Sequence, residues 1–455
     1  MEEEVDVVVI GMGPAGEEVA GRLAAAGLDV VGVEQELLGG ECPYWGCVPT
    51  KLMVRASDAL AEAGRSVALA GTITTGSRWD PVVERIVDAT DGWDDAQAVK
   101  RFGLQGGRLR RGRGRLVGPS GVDVDGVVLR ARRAVVVATG ARPVIPDVPG
   151  LEGTPFWTNR DAGAARRVPD SLVVLGGGAV GVELAQVFRR VGAIVSVVDP
   201  APRLLGGEEP EAGDLLAQTF ADEGIDVRTS TEVTSAYHDG DRFTLLVSGA
   251  EAISADHLLV ATGRRPDLRS LGVASLGLDD SAAQVTVDHR QRVQGADGVW
   301  AVGDVTGRGA YTHVAMAQAD VAVRDILGED VGTGVTRTVP RVTFTDPEIG
   351  AVGMTERAAR AEFGHVRVGS TDLADEARGW IHGPGGRGLV KVVEDTGRGV
   401  LVGATSIGPS GGEVLGLLTL AVHAEVPVDR LRDMVYAYPT FHRAVGAAVR
   451  DLASA

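Results

Sequence analysis

The stretch Val5-Asp6-Val7-Val8-Val9-Ile10-Gly11-Met12-Gly13-Pro14-Ala15-Gly16 decides the fold. Val5 to Ile10, apolar but for Asp6, reads as a buried parallel strand that ends at Gly11. A helical pattern through Val19, Leu23 and Ala26 follows, and a second strand, Val30 to Val33, closes on Glu34. The same order returns downstream. Ser171 to Leu175 leads into Gly176-Gly177-Gly178-Ala179-Val180-Gly181, a helix through Leu184 and Val187, and a strand Ile194 to Val198 that closes on Asp199. In both copies the acidic residue stands 23 positions after the first glycine, which makes this an internal repeat of one nucleotide-binding unit.

A strand, a glycine turn and a helix set the free amides and positive dipole end of the helix against a pyrophosphate. Gly11 permits the tight turn, Gly13 lets backbone approach the ligand, and Gly16 allows close packing of helix on strand. Gly176, Gly178 and Gly181 repeat those roles. Glu34 and Asp199 stand where a carboxylate accepts hydrogen bonds from ribose hydroxyls. A carboxylate at 199 repels a 2′-phosphate, so NADH is expected in preference to NADPH, with Arg203 four positions on as the complicating residue.

Two further strand-like runs close alike: Ala134 to Ala138 enters Thr139-Gly140, and His257 to Ala261 enters Thr262-Gly263. Pro143, Pro146 and Pro149 mark a crossover into the second unit, and Arg264-Arg265-Pro266 a crossover back. From about Val339 the pattern changes to alternating runs (Val366 to Val368, Leu389 to Val393, Gly399 to Ala404). Two late helices, Gly412 to Ala424 and Pro439 to Leu452, complete a third, α+β domain.

Among 455 residues, 62 acidic against 45 basic side chains give a net charge of −17. Such a chain is repelled by phosphate backbones and anionic membrane surfaces, so no nucleic-acid or membrane partner is expected. Arg108 to Arg115 packs five arginines into eight residues. It reads as a solvated turn, with a phosphate-binding surface as the alternative. The opening Met1-Glu2-Glu3-Glu4 offers no basic-then-apolar leader, and no charge-free run approaches the roughly 18 residues of a membrane span. A cytoplasmic location is expected, and no metal site.

The only two cysteines, Cys42 and Cys47, sit five positions apart, which argues for chemistry rather than a disulfide framework. They fall in Gly39-Gly40-Glu41-Cys42-Pro43-Tyr44-Trp45-Gly46-Cys47-Val48-Pro49-Thr50-Lys51, at the start of a helix through Leu52, Ala56 and Leu60. A helix start stabilises thiolate. Only three lysines are present, Lys51, Lys100 and Lys391, so one beside the thiols is conspicuous.

At this segment the sequence resembles the class I pyridine nucleotide-disulfide oxidoreductases, the group of dihydrolipoyl dehydrogenase, glutathione reductase and mercuric reductase. The resemblance covers nearly the whole chain. It implies two Rossmann-like dinucleotide-binding domains, for FAD and NAD(P), and a C-terminal α+β dimerisation domain. The implied boundaries are 1–145 and 265–335 for FAD, 146–264 for NAD(P), and 336–455 for dimerisation. Cys47 is implied as the flavin-facing sulfur, Cys42 as the interchange thiol, and Lys51 as the lysine beside flavin N5, paired with Glu183. Gly40, Thr139 and Gly140 join the implied FAD site, and Glu183 and Gly263 the NAD site. Gly298-Val299-Trp300-Ala301-Val302-Gly303-Asp304 resembles the second flavin signature, where Gly303 and Asp304 meet the ribityl chain. His313, in Tyr311-Thr312-His313-Val314-Ala315, matches a segment under the flavin ring and reads as structural. The resemblance further implies a homodimer in which the partner's C-terminal segment completes each active site.

That segment departs from the family. Where the disulfide reductases carry His-Pro-x-x-x-Glu, this chain reads Tyr438-Pro439-Thr440-Phe441-His442-Arg443. A tyrosine, with an ordinary pKa near 10, is a poor base at neutral pH. His442, one helical turn beyond Tyr438, is the substitute to weigh. Mercuric reductases resemble the tyrosine variant but carry a further cysteine pair that this chain lacks. The expected activity is transfer from NADH through flavin and the Cys42–Cys47 disulfide to a small-molecule acceptor. Direct flavin reduction of a quinone or dye is one alternative, and a non-catalytic NADH-sensing dimer another.

Overall fold

The computed structural model describes residues 1–74, 76–332 and 338–453. The domain boundary expected at 335/336 lies outside them. By compactness the chain divides into two units. One joins Met1–Thr50, Glu84–Val144 and Gly263–Thr336; the other joins Lys51–Val83, Ile145–Thr262 and Arg337–Ala455.

The first unit is built on a seven-stranded sheet. Its order is Arg108–Arg111, Val30–Glu34, Glu2–Ile10, Val127–Val137, Gly121–Val124, Gly114–Leu116, with Val299–Ala301 added on Val127–Val137. The first four strands run parallel, and Val8 lies opposite both Val31 and Val135. Val7, Val8 and Val9 are wholly buried, and each such side chain contributes about 1.5–3 kcal/mol. The strand starts at Glu2, three residues before the predicted Val5, because cross-strand ion pairs carry its acidic end: Glu2 to Arg130 at 3.0 Å and Glu3 to Arg108 at 2.6 Å. The arginine cluster likewise forms two short strands rather than a turn alone, Arg108–Arg111 at one end of the sheet order and Gly114–Leu116 at the other. Arg108 also reaches Asp29 at 2.9 Å, Arg111 pairs with Asp95, and Arg113 reaches Asp267 at 3.4 Å, so internal carboxylates occupy those charges.

The second unit contains a parallel sheet ordered Asp226–Arg228, Ile194–Val198, Ser171–Leu175, His257–Val260. Helices Ala179–Arg190 and Pro210–Glu223 accompany it. A five-stranded antiparallel sheet follows, ordered Pro340–Thr343, Glu348–Gly353, Val400–Gly408, Leu389–Asp395, Val366–Asp372. Helices Gly411–His423 and His442–Asp451 bury Leu415, Leu418, Val445 and Val449 in its core. The last helix begins at His442, not at the predicted Pro439, so Tyr438 precedes it and the one-turn relation of Tyr438 to His442 does not hold. Among the described residues no helix is long and apolar enough to cross a membrane.

Candidate active site

Gly39 and Gly40 both take positive φ, +113° and +65°. A Cβ on Gly40 would come within 2.7 Å of the Gly13 Cα, so only glycine lets this segment lie against the first glycine turn. A single helical turn, Glu41–Tyr44, then carries Cys42, and the Glu41 carbonyl accepts both the Trp45 and Gly46 amides, at 2.8 and 2.6 Å. That tight fold brings the chain back to Cys47, the first residue of the helix Cys47–Leu69.

Both cysteines are free thiols, Cys42 half-buried and Cys47 exposed. A hydrogen bond with Cys47, and then burial, push the Cys42 thiol well above its ordinary pKa, while Thr312 pulls the other way. Both upward influences favour the protonated form of Cys42. The Cys47 Sγ lies 3.7 Å from the Thr312 Oγ1, and Thr312 opens the helix Thr312–Leu327. Two helix starts thus meet at the thiols, and positive helix ends favour a thiolate there. Thr312 was not singled out from sequence; its only signal was its place beside His313. The His313 ring is exposed and stacks on Tyr311 at 5.4 Å.

The first glycine turn closes on its own carboxylate. Glu34 accepts the Met12 amide on Oε2 and the Glu36 amide on Oε1, both at 2.8 Å. Burial lifts this carboxyl above its ordinary pKa against those two bonds. Gly11 has φ +90°, and a Cβ there would meet the Ala138 carbonyl at 2.5 Å; on Gly16 it would meet the Gly11 carbonyl at 1.9 Å. No side chain caps the helix Pro14–Ala25 that follows. Gly140 has open space at its Cβ position, and Thr139 beside it is exposed. Gly303 donates its amide to the Gln318 Oε1 at 2.6 Å, and burial lifts the neighbouring Asp304 carboxyl, with Arg264 acting against it.

In the second unit Asp199 accepts the Gly177 amide at 2.5 Å and the Ala201 amide at 2.6 Å. The Gly178 Cβ position is open, as is that of Gly263 in the first unit. Lys51 and Glu183, 132 positions apart, form an ion pair. Glu183 is buried, its other oxygen accepts the Phe344 amide at 2.8 Å, and the Lys51 Nζ stands 4.7 Å from the Phe344 ring centre. Phe344 too was missed from sequence. In the tail Tyr438 is 68% exposed, and the guanidinium of Arg443, the residue at the family's glutamate position, lies over its ring at 5.4 Å. Arg443 is held by Glu376 at 3.5 Å, and His442 is exposed.

These residues fit both dinucleotides. Each turn leaves an uncapped helix start and a Cβ-free approach, and each carboxylate, with one amide on either oxygen, keeps acceptor capacity for ribose hydroxyls. Two such turns and a thiol pair at a helix start define a dinucleotide-dependent dithiol oxidoreductase.

The chain belongs to the pyridine nucleotide-disulphide oxidoreductase family, whose profile matches residues 5–319, while the family's dimerisation domain matches residues 339–449. It is accordingly an FAD-containing enzyme of NAD(P)H-dependent disulfide oxidoreduction. It is 32% identical to the dihydrolipoyl dehydrogenase of Chlorobaculum tepidum over 98% of this chain and 97% of that protein. To the mercuric reductase of Acidithiobacillus ferrooxidans it is 31% identical, over 96% of this chain and 81% of the relative. The Cu(II) complex of the HOCl-induced flavoprotein disulfide reductase RclA of Escherichia coli superimposes with a TM-score of 0.85 at 25% identity, covering 99% of each chain.

Proposed function

We propose that NADH is the donor and that electrons leave through the Cys42–Cys47 pair to a small thiol-reactive acceptor. The observation that carries this reading is the placement of both thiols in one tight turn at a helix start, with the Thr312 Oγ1 3.7 Å from the Cys47 Sγ. Bound FAD supplies the two-electron relay between nicotinamide and disulfide. Gly11, Gly13, Gly16, Glu34, Gly40, Thr139, Gly140, Gly303 and Asp304 hold it, within segments 1–145 and 265–335. Gly176, Gly178, Gly181, Asp199 and Gly263 hold the nicotinamide dinucleotide, principally within 146–264. Asp199 favours NADH over NADPH by repelling a 2′-phosphate. The Lys51 ammonium, fixed by Glu183, would supply positive charge to the flavin when it is bound.

Reduction of the Cys42–Cys47 bond consumes two electrons and two protons and leaves the dithiol. Cys42 then attacks a disulfide acceptor as its proton passes to the departing acceptor sulfur, which leaves as a thiol; Cys47 in turn attacks Cys42, its proton passing to the second acceptor thiol as the internal disulfide re-forms. The 336–455 segment dimerises, and the partner's Tyr438 positions the acceptor, with His442 at the rim. Exposed Val435 (94%), Trp380 (79%) and Leu420 (59%) in this segment supply apolar area for such an interface.

Anaerobic reduction by NADH tests the circuit. Dithiol formation with a long-wavelength thiolate-to-flavin band is expected, and Cys42→Ser should abolish disulfide reduction while leaving flavin reduction intact. Disulfide reduction that survives Cys42→Ser would sink the reading. Quinone reduction surviving in that variant would instead support direct transfer from flavin. A thiophilic metal ion is the second reading for the acceptor. The tail's lack of a histidine base at 438 favours it, since metal reduction needs no proton shuttle to a leaving thiol, and the similar proteins include a mercuric reductase and a flavoprotein disulfide reductase solved as a Cu(II) complex.

A further inference from the structure

We infer that Trp93 is a positioning residue for the thiol pair, holding the backbone between Cys42 and Cys47 and so setting how readily the two sulfurs close into a disulfide. Helices Asp80–Ala89 and Ala96–Leu104 are joined by a turn in which Asp91, Gly92 and Trp93 all take left-handed φ, 53°, 64° and 63°. Two of the three are not glycine, and a side chain in that region crowds its own backbone. What the strained turn achieves is specific. The Trp93 indole Nε1–H donates to the carbonyl of Tyr44 at 3.0 Å. Tyr44 is the last residue of the helical turn that carries Cys42, so its carbonyl has no further turn to bond it. Two residues beyond Trp93, the buried Asp95 accepts the Leu38 amide at 2.6 Å and pairs with Arg111. One turn therefore grips the thiol segment at both ends, before Gly39 and after Cys42.

Closing a disulfide from two thiols is favoured by whatever already holds them together, because less freedom is left to lose. The indole bond restrains the dithiol form; in the disulfide form the covalent bond itself supplies that restraint. Removing the bond thus frees the dithiol more than the disulfide and shifts the equilibrium toward dithiol.

The inference rests on Cys42 and Cys47 being the redox pair, and the experiment separates the two. The FAD-loaded protein is equilibrated anaerobically in glutathione buffers, quenched with acid, alkylated and weighed. Two glutathione thiols become one glutathione disulfide as the Cys42–Cys47 bond takes up two electrons and two protons. Trp93→Phe, which keeps a ring but loses the donor, should move the equilibrium constant by about threefold or more toward dithiol. Thr90→Val, which removes a buried hydroxyl bonded to the Ile86 carbonyl in the same turn, should leave it unchanged. An unmoved constant in Trp93→Phe, or an equal shift in Thr90→Val, overturns the inference while the redox pair stands. A wild-type protein that forms no disulfide in any buffer overturns both.

Discussion

The two glycine turns are built to one plan and finished differently. In each, the carboxylate at the end of the second strand reaches back 22 positions to the middle amide of the turn and forward two to another, Met12 and Glu36 for Glu34, Gly177 and Ala201 for Asp199. In each, the third glycine lets the first glycine's carbonyl come within 2.0 Å of where a Cβ would be. The difference lies in what covers them. The first turn is sealed by its own Met12, wholly buried over Gly32, and Ala15 behind it is only 5% exposed. The second has glycine at the middle place, leaves Gly178 and Ala179 exposed and Val180 40% exposed, and borrows Leu204 to fill the space beside Gly177. A covered turn suits a dinucleotide that stays, and an open one suits a dinucleotide that arrives and leaves with each turnover.

The largest effect should come from a methyl group at the third glycines. Gly16→Ala is expected to yield protein without flavin absorbance. Gly181→Ala should stay yellow but lose flavin reduction at fixed NADH by about a hundredfold, a displacement of the order that an ångström costs. Flavin lost from Gly181→Ala, or kept by Gly16→Ala, would break the division of roles. Next in size is Asp199→Asn, which turns an amide nitrogen toward a backbone donor and removes the charge facing a 2′-phosphate. The ratio of kcat/KM for NADH over NADPH should fall about tenfold, equivalent to about 1.4 kcal/mol.

The smallest effect is a pH dependence at Glu34. Burial raises this carboxyl in the folded protein, so the fold favours its neutral form. That advantage is complete below its ordinary value of 4.5 and fades as the pH climbs through the raised folded value. Glu34→Gln has no such proton to lose. Its thermal destabilisation relative to wild type should therefore shrink as pH rises from 4.5 toward neutrality, and a deficit that grows instead would contradict the buried-carboxyl account.

Much of this was written locally in the chain. Strand, turn, helix and closing acid fall within one short window in each copy, and periodicity and glycine spacing locate them closely, the widest miss being the first strand's start at Glu2 rather than Val5. The Cys42 to Lys51 segment is equally compact, and its likeness to a known family pointed ahead to Glu183, which Lys51 indeed meets. Thr312 was not legible, since it reaches Cys47 across 265 positions and a threonine at a helix start has many local uses. Trp93 was hidden for the same reason, with an indole bond to a carbonyl 49 positions away that no period announces. The start of the last helix was misplaced because Pro439 imitates a first helical residue, while the helix itself begins at His442.

Lys391 is 4% exposed and clamped by Glu209, Glu211 and Glu356 at 2.8 to 3.0 Å, and Lys51 is tied to Glu183. Of the three lysines only Lys100 stands on an open surface. Among the lysines, acylating reagents therefore find Lys100 the most open, remote in sequence from the thiols, so a dye carried there reports on the surface without touching Cys42 or Cys47.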